Sequence, residues 1–157
     1  MSKSGIHIDL NKIKEISEIS LPHNKKSMQS FLGQINFVKR FVPDFSRIVS
    51  PLQTMIKKNS NFKWGQDEHE AFNLIKQAII NAPSLATPNF SESFILYTFA
   101  LEKSYAAILT QANQEKAESP ITFFSSNLQG AELNYSDMEK QAYVVFKAIK
   151  YFRPLLL

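Results

Sequence analysis

No cysteine occurs in the 157 residues. That excludes disulfides, thiolate nucleophiles and cysteine-based zinc sites. Only four glycines are present, and none sits in a phosphate-cradling loop or a nucleophile elbow. The three histidines, His7, His23 and His69, lie far apart and off metal-ligand spacing. No two aspartates are adjacent. No apolar run approaches the ~20 residues that a membrane span needs, so no membrane partner is expected. The opening Met1-Ser2-Lys3-Ser4-Gly5 has no apolar segment of the kind a secretory signal needs. The expected location is intracellular, cytoplasmic or nuclear, and not secreted.

What is present suits a folded domain. Hydrophobic residues make up 44% of the chain, charged residues 20%, and there are 13 Phe. A chain of this length can bury roughly two thirds of its unfolded surface. The net charge is +4 but unevenly placed. Residues 1–81 hold 12 Lys/Arg against 7 Asp/Glu, and residues 82–157 hold 6 against 7. A basic first half suits a polyanion partner, or is simply a solvated helical surface.

Periodicity divides the chain the same way. Leu10, Ile13, Ile16 and Ile19 predict a short amphipathic helix ending before Leu21-Pro22. A longer helix is expected over Ser27–Phe41, closed by Pro43. Phe45, Ile48, Val49, Leu52, Met55 and Ile56 make a third, with a kink or split expected at Pro51. A fourth runs from Gln66 or Asp67 to about Asn81, its inner face carrying Ala71, Phe72, Ile75, Ala78 and Ile79. Pro83 and Pro88 bracket a linker. Then the period changes. Phe94–Phe99 reads as a strand buried on both faces, Tyr105–Gln111 as a second strand, and Ile121–Ser125 as a third, in an antiparallel meander. A last helix is expected over Ser136–Phe152, with Ala142, Val145, Phe146, Ile149 and Phe152 as its apolar face. The fold class is α+β: a helical region over 1–82, a linker over 83–92, and a meander plus one long helix over 93–157. A free sheet edge and an apolar tail suggest a piece of something larger.

The run Ser30-Phe31-Leu32-Gly33-Gln34-Ile35-Asn36-Phe37-Val38-Lys39-Arg40-Phe41-Val42-Pro43-Asp44-Phe45-Ser46 resembles a signature of Gypsy-type (Metaviridae) retrotransposon polyproteins. Ser50-Pro51-Leu52, Phe62-Lys63-Trp64, Ala71-Phe72 and Ala82-Pro83-Ser84-Leu85 follow in the family's order. Phe94-Ile95-Leu96-Tyr97-Thr98 and Ala107-Ile108-Leu109-Thr110-Gln111 resemble the opening hairpin of the linked ribonuclease H domain. Leu133-Asn134-Tyr135-Ser136-Asp137-Met138-Glu139-Lys140 resembles the start of its first helix. The resemblance implies that residues 1–82 are a reverse transcriptase thumb-like region. It implies that 93–157 are a truncated ribonuclease H-like domain, with further polyprotein domains missing from this chain.

Ribonuclease H chemistry uses two Mg²⁺ ions held by carboxylates, which activate a water and stabilise the leaving oxygen. In the family the first carboxylate is an Asp in a "TDAS" run. Here that run reads Thr98-Phe99-Ala100-Leu101, and Phe99 cannot ligate a metal. Glu102 matches an acidic position that is not catalytic in the family. The second family carboxylate matches Glu139, a vestigial catalytic position. Glu139 also fits a capping box, Ser136-Asp137-Met138-Glu139, at the start of a helix. Ser104 and Ala106 stand where the family usually has Gly, and Ser126-Asn127 replace its basic pair. The expectation is no metal site and no cofactor in this chain, although active members use Mg²⁺. Polymerase chemistry would need palm carboxylates that are not here.

At 100° per residue, Met28, Phe31, Leu32, Ile35, Val38 and Val42 fall on one side of the second helix. Gln29, Gly33, Asn36, Phe37 and Arg40 fall on another. Gly33 either permits close packing on a neighbouring helix or leaves room for a ligand. Reverse transcriptases carry a similar thumb helix that tracks the minor groove of a primer–template duplex. The resemblance therefore makes Gln29, Gly33, Asn36, Phe37, Lys39 and Arg40 candidate nucleic-acid-binding residues, with Lys25 and Lys26 placed for phosphates. The partner implied is an RNA–DNA or DNA duplex, bound without catalysis. The alternative is a structural or interaction fragment, the product of a decayed transposon, with no nucleic-acid role.

Overall fold

The computed structural model describes residues 5–157; the Met1–Ser4 stretch read for a leader lies outside them. Each helix begins where a side chain can satisfy a free amide. Asp9 caps α1 (Leu10–Glu18) by accepting from the Asn11 N–H at 2.7 Å. Asn24 caps α2 (Lys25–Asn36), accepting from the Ser27 N–H at 2.8 Å while the Ser27 hydroxyl accepts from the Asn24 N–H at 3.2 Å. The α2 pattern does not run on to Phe41. The chain leaves the helix at Phe37 and makes a single 3-10 turn over Lys39–Phe41. In a continued α-helix Phe41 would lie about 100° from the core stripe. The tighter turn brings Val38, Phe41 and Val42 inward together, and all three are buried.

Helix α3 (Phe45–Met55) follows Asp44, which takes a left-handed conformation at φ 55°. At Pro51, where a kink or split is expected, the helix is not split and continues through the proline. Pro51 removes the amide that would bond the Arg47 carbonyl, and Arg47 is exposed, so water can serve that oxygen. Burial of Phe45, Val49, Leu52 and Met55 holds the helix together across the proline. In α4 (Gln66–Ile80), the Glu68 carboxylate accepts from the Gly65 N–H at 2.9 Å, and Ala71, Phe72, Ile75 and Ile79 are buried. The rings of Phe31 and Phe72 meet at 5.0 Å, with Trp64 edge-on to Phe72 at 5.8 Å. The Lys76 ammonium donates to the carbonyls of Ser17 and Ile19 at the end of α1, and burial lowers its pKa.

Residues 83–92 form neither helix nor long strand, yet they are tied down. Leu85 is fully buried and exchanges two backbone hydrogen bonds with Ile6. The buried Gln111 side chain accepts from Asn89 N–H and donates to the carbonyls of Asn89 and Glu92.

The sheet is the expected antiparallel meander in the order β1 (Phe94–Ala100), β2 (Ser104–Ala112), β3 (Glu118–Asn127). Its register pairs Leu96 with Leu109 and Ala107 with Phe124. The strand buried on both faces is β2, not β1 as the sequence suggested. β1 hydrogen-bonds to β2 alone, so Tyr97 and Phe99 remain well exposed. Phe94, Leu96, Ala107, Leu109 and Phe124 face α5 (Asp137–Leu156). Ile108 and Phe123 point the other way, into the core formed by α1–α4.

The face of α5 is also corrected. Lys140, Val144, Ala148 and Phe152 are its buried residues, whereas Val145, Phe146 and Ile149 are exposed. The helix carries two apolar stripes, and the sheet takes the one centred on Val144 and Ala148. Lys140 is tolerated inside because its ammonium donates to the Glu102 carbonyl at 3.0 Å.

Since Phe123 joins the sheet to the helical core, Phe123→Ala should cost about 3–5 kcal/mol and retain one cooperative transition. Chemical denaturation followed by both tryptophan fluorescence and far-UV circular dichroism checks this. Two separated transitions in the wild-type chain would contradict the shared core.

Candidate nucleic-acid interface

Burial of Met28, Phe31 and Ile35 fixes the rotation of α2 about its axis. Gln29, Gly33 and Asn36 consequently face solvent along a narrow ridge. Phe37 caps the helix with 53% of its surface exposed, and Lys39 and Arg40 follow on the exposed 3-10 turn. The structure thus brings all six candidate residues together on one exposed surface. A Cβ added at Gly33 would meet nothing within 4 Å. The close-packing explanation of Gly33 therefore fails within this chain, and the space above it is open.

The cations near the ridge are held differently. The Arg40 guanidinium lies 5.5 Å from the centre of the Phe41 ring. Lys25 donates to the Lys57 carbonyl at 2.7 Å, which commits it to the fold. Lys26 borders a shallow groove of about 360 Å³ beside α2, with Asn24, Ser27, Ser30 and Gln34. One cation escaped the sequence reading. Lys12 of α1 places its ammonium 5.6 Å from the centre of the Phe37 ring, and 3.0 Å from the Glu15 carboxylate. Nothing in the local sequence signals it, since 25 positions separate Lys12 from Phe37.

The aligned ribonuclease H positions are arranged otherwise. Alternation along β1 puts Phe99 on the Tyr97 side, opposite the face that Leu96 and Ala100 turn toward α5. Glu139 is exposed, and its carboxylate accepts from the Ser136 N–H at 2.7 Å. The Glu139 N–H donates to the Ser136 hydroxyl at 3.3 Å, so the capping box is formed. Glu102 offers its backbone carbonyl to the Lys140 ammonium, which puts a positive charge at this end of the sheet. Among the described residues no group of three His, Asp or Glu could hold a metal ion. The residues present do not fit a two-Mg²⁺ site: position 99 offers a phenyl ring, and the Glu139 carboxylate is engaged by the Ser136 amide.

The Ser136 amide, and then its hydroxyl, hold the Glu139 carboxyl below its ordinary pKa. A depressed carboxyl stabilises the fold above its unfolded value of about 4.3, and that stability is lost as pH falls through the folded value. Denaturation midpoints measured from pH 7 to pH 3 should show this loss in the wild type. In Glu139→Gln the corresponding contribution should be independent of pH. Identical acid limbs for the two proteins would exclude the cap as its source.

Residues 64–157 match the family described as the RNase H-like domain found in reverse transcriptase. The chain is 29% identical over 156 residues to the Tf2-3 and Tf2-4 transposon polyproteins of Schizosaccharomyces pombe. That alignment covers 99% of this chain and 12% of each polyprotein. The foamy viral protease-reverse transcriptase dRH in complex with double-stranded DNA superposes with a TM-score of 0.85 at 26% identity, over 99% of this chain and 27% of that one. The foamy viral enzyme in complex with an RNA/DNA hybrid gives 0.84 at 26% identity, over 99% of this chain and 21% of that one. With the family matched over 64–157 and the whole fold shared with reverse transcriptases, the chain belongs to the RNase H-like domains found in reverse transcriptase.

Proposed function

We propose that this chain is the duplex-contacting part of a retrotransposon reverse transcriptase polyprotein and that it carries out no catalysis itself. The polyprotein's role would be RNA-directed DNA synthesis and hybrid cleavage. The observation that carries the reading is the open ridge over Gly33, flanked by Gln29 and Asn36 and ending in Phe37, Lys39 and Arg40. Nothing in this chain packs over Gly33, and on an exposed helical face Ala would be more stable. A duplex does use it: the missing side chain lets the backbone approach a groove, polar neighbours reach edges and sugars, and the two cations meet phosphates. The similar foamy viral enzyme is bound to double-stranded DNA in one structure and to an RNA/DNA hybrid in another, which supports a duplex as the ligand. Residues 1–82 would then serve as the thumb-like region, and 93–157 as a ribonuclease H-like domain without a working centre.

Binding should be weak and without sequence preference, because phosphate contacts carry no base information and minor-groove readout is nearly degenerate. Fluorescence anisotropy of a labelled hybrid should give Kd of about 10⁻⁴–10⁻⁶ M at physiological salt. Lys39→Ala with Arg40→Ala should lower the salt slope by roughly 1–2. Phe37→Ala should weaken binding and leave the slope in place, since the ring has no charge. Gly33→Ala should stabilise the fold by about 0.5–1 kcal/mol. Gly33→Leu should keep the fold and lose the duplex. Equal slopes for wild type and the double variant, or full binding by Gly33→Leu, would leave the structural-fragment alternative standing.

Catalysis is tested separately. The chain should not cut the RNA strand of a hybrid with Mg²⁺ or Mn²⁺, and Phe99→Asp alone should not confer cleavage. Wild-type cleavage abolished by Glu139→Gln would overturn the non-catalytic reading.

A further inference from the structure

Several cations of the helical layer are committed to the fold. Lys25 donates to the Lys57 carbonyl, Lys76 to the carbonyls of Ser17 and Ile19, and Arg47 to the Asp44 carboxylate. Lys12 is held differently. Its ammonium meets the Glu15 carboxylate at 3.0 Å and stands 5.6 Å from the centre of the Phe37 ring. The contact joins two elements of this chain, α1 and the end of α2.

The placement of Lys12 follows from how α1 is seated. Asp9 caps the helix, and burial of Ile16 fixes its rotation. Four residues advance a helix by 400°, so Lys12 lies only about 40° round the axis from Ile16. Its side chain is accordingly 34% exposed, against 64% for Glu15. The stem is mostly covered, and the charge reaches out at Phe37.

Phe37 ends the ridge, with Lys39 and Arg40 on the turn that follows. A ring at that place packs on a sugar of a docked duplex. Each sugar of a nucleic-acid strand has a phosphate on either side. An ammonium this near the ring centre stands within reach of one of them. Two magnitudes decide which anion holds it. The Lys12–Glu15 pair is an exposed one between residues three apart, of a kind that contributes little and is screened by salt. A phosphate contact also releases a condensed counterion, which the carboxylate contact does not. The phosphate wins when a duplex is present, and Glu15 holds the lysine when it is absent.

We propose that Lys12 is a phosphate-contacting residue of the duplex interface, its ammonium exchanging the Glu15 carboxylate for the phosphate beside the sugar that Phe37 covers. The proposal rests on the duplex-binding reading and adds α1 to a surface otherwise built from α2 and the turn after it.

The test uses the full chain and a labelled RNA–DNA hybrid, with anisotropy read over a salt series and circular dichroism as the check on folding. Lys12→Met, which keeps the stem and removes the charge, should weaken binding and lower the salt slope by about 0.9. The same loss should add to that of the Lys39→Ala, Arg40→Ala double variant. Lys12→Arg should keep the wild-type slope. Glu15→Gln should tighten binding about two- to fivefold, because the competing carboxylate is gone. Weaker binding by Lys12→Met at an unchanged slope would reduce Lys12 to a support for the ring and overturn the proposal. Unchanged affinity in Lys12→Met, or no gain in Glu15→Gln, would overturn it as well. In each of these cases the wild type still binds and the double variant still loses slope, so the duplex reading survives. A wild type that does not bind at low salt overturns both.

Discussion

The docking of α3 on β3 fixes where every other surface lies. Asp44, in its left-handed conformation, makes no side-chain cap for α3. The free amide of Ser46 is served instead by the Ser125 hydroxyl of β3 at 2.9 Å, and that hydroxyl donates in turn to the Ser46 hydroxyl at 3.1 Å. The sheet thus caps the helix. Phe123, two residues earlier on the same face, enters the helical core, and Asn127 two residues later donates to Gln53 at 3.3 Å. One side of one strand, through alternate residues, supplies an apolar anchor and two polar ones. The α3–α4 core in turn orients α2 through Phe31 and Phe72. The ridge over Gly33 therefore has a fixed place relative to the sheet, and the turn at its end, Lys39–Phe41, packs beside β3.

Much of this was legible in the sequence, and the failures share a cause. α1, α4 and the three strands were readable because caps, prolines and a single apolar stripe agreed. Three readings failed where local pattern left two answers. Phe41 carries no local mark that favours a 3-10 turn; only the core's demand for its ring decides it. Neither β1 nor β2 alternates cleanly between apolar and polar residues, so alternation cannot tell a central strand from an outer one, and pairing decides. α5 has apolar stripes on two sides, and the sequence pointed to the wider one. The partner that makes the narrower stripe workable is a backbone carbonyl, that of Glu102, which takes the buried Lys140 charge. Backbone acceptors leave no trace in residue types.

The candidate site separates along a similar line. The ridge was found from the sequence because its residues are consecutive on one helix and the turn that follows. Lys12 was missed because tertiary packing alone brings it to Phe37. The two kinds of function also decay differently. A two-metal centre requires its carboxylates together, so in the proposed reading a phenyl ring at position 99 would be enough to disable it. Duplex binding is built from many small, nearly additive phosphate terms and weakens by degrees. In the proposed reading, an exposed ridge with no metal-holding group of His, Asp or Glu among the described residues is what that asymmetry would leave.

Layering also sets the ridge apart from the last helix. The sheet has α1–α4 against one face, over β2 and β3, and α5 against the other, over β1 and β2. The ridge looks outward from the first layer, and the exposed side of α5, with Phe146, belongs to the second. A change confined to the second layer leaves the rotation of α2 and the space above Gly33 as they are. Phe146→Lys should therefore leave duplex affinity and its salt slope unchanged, whereas Phe37→Ala, on the ridge itself, weakens binding in the same anisotropy assay.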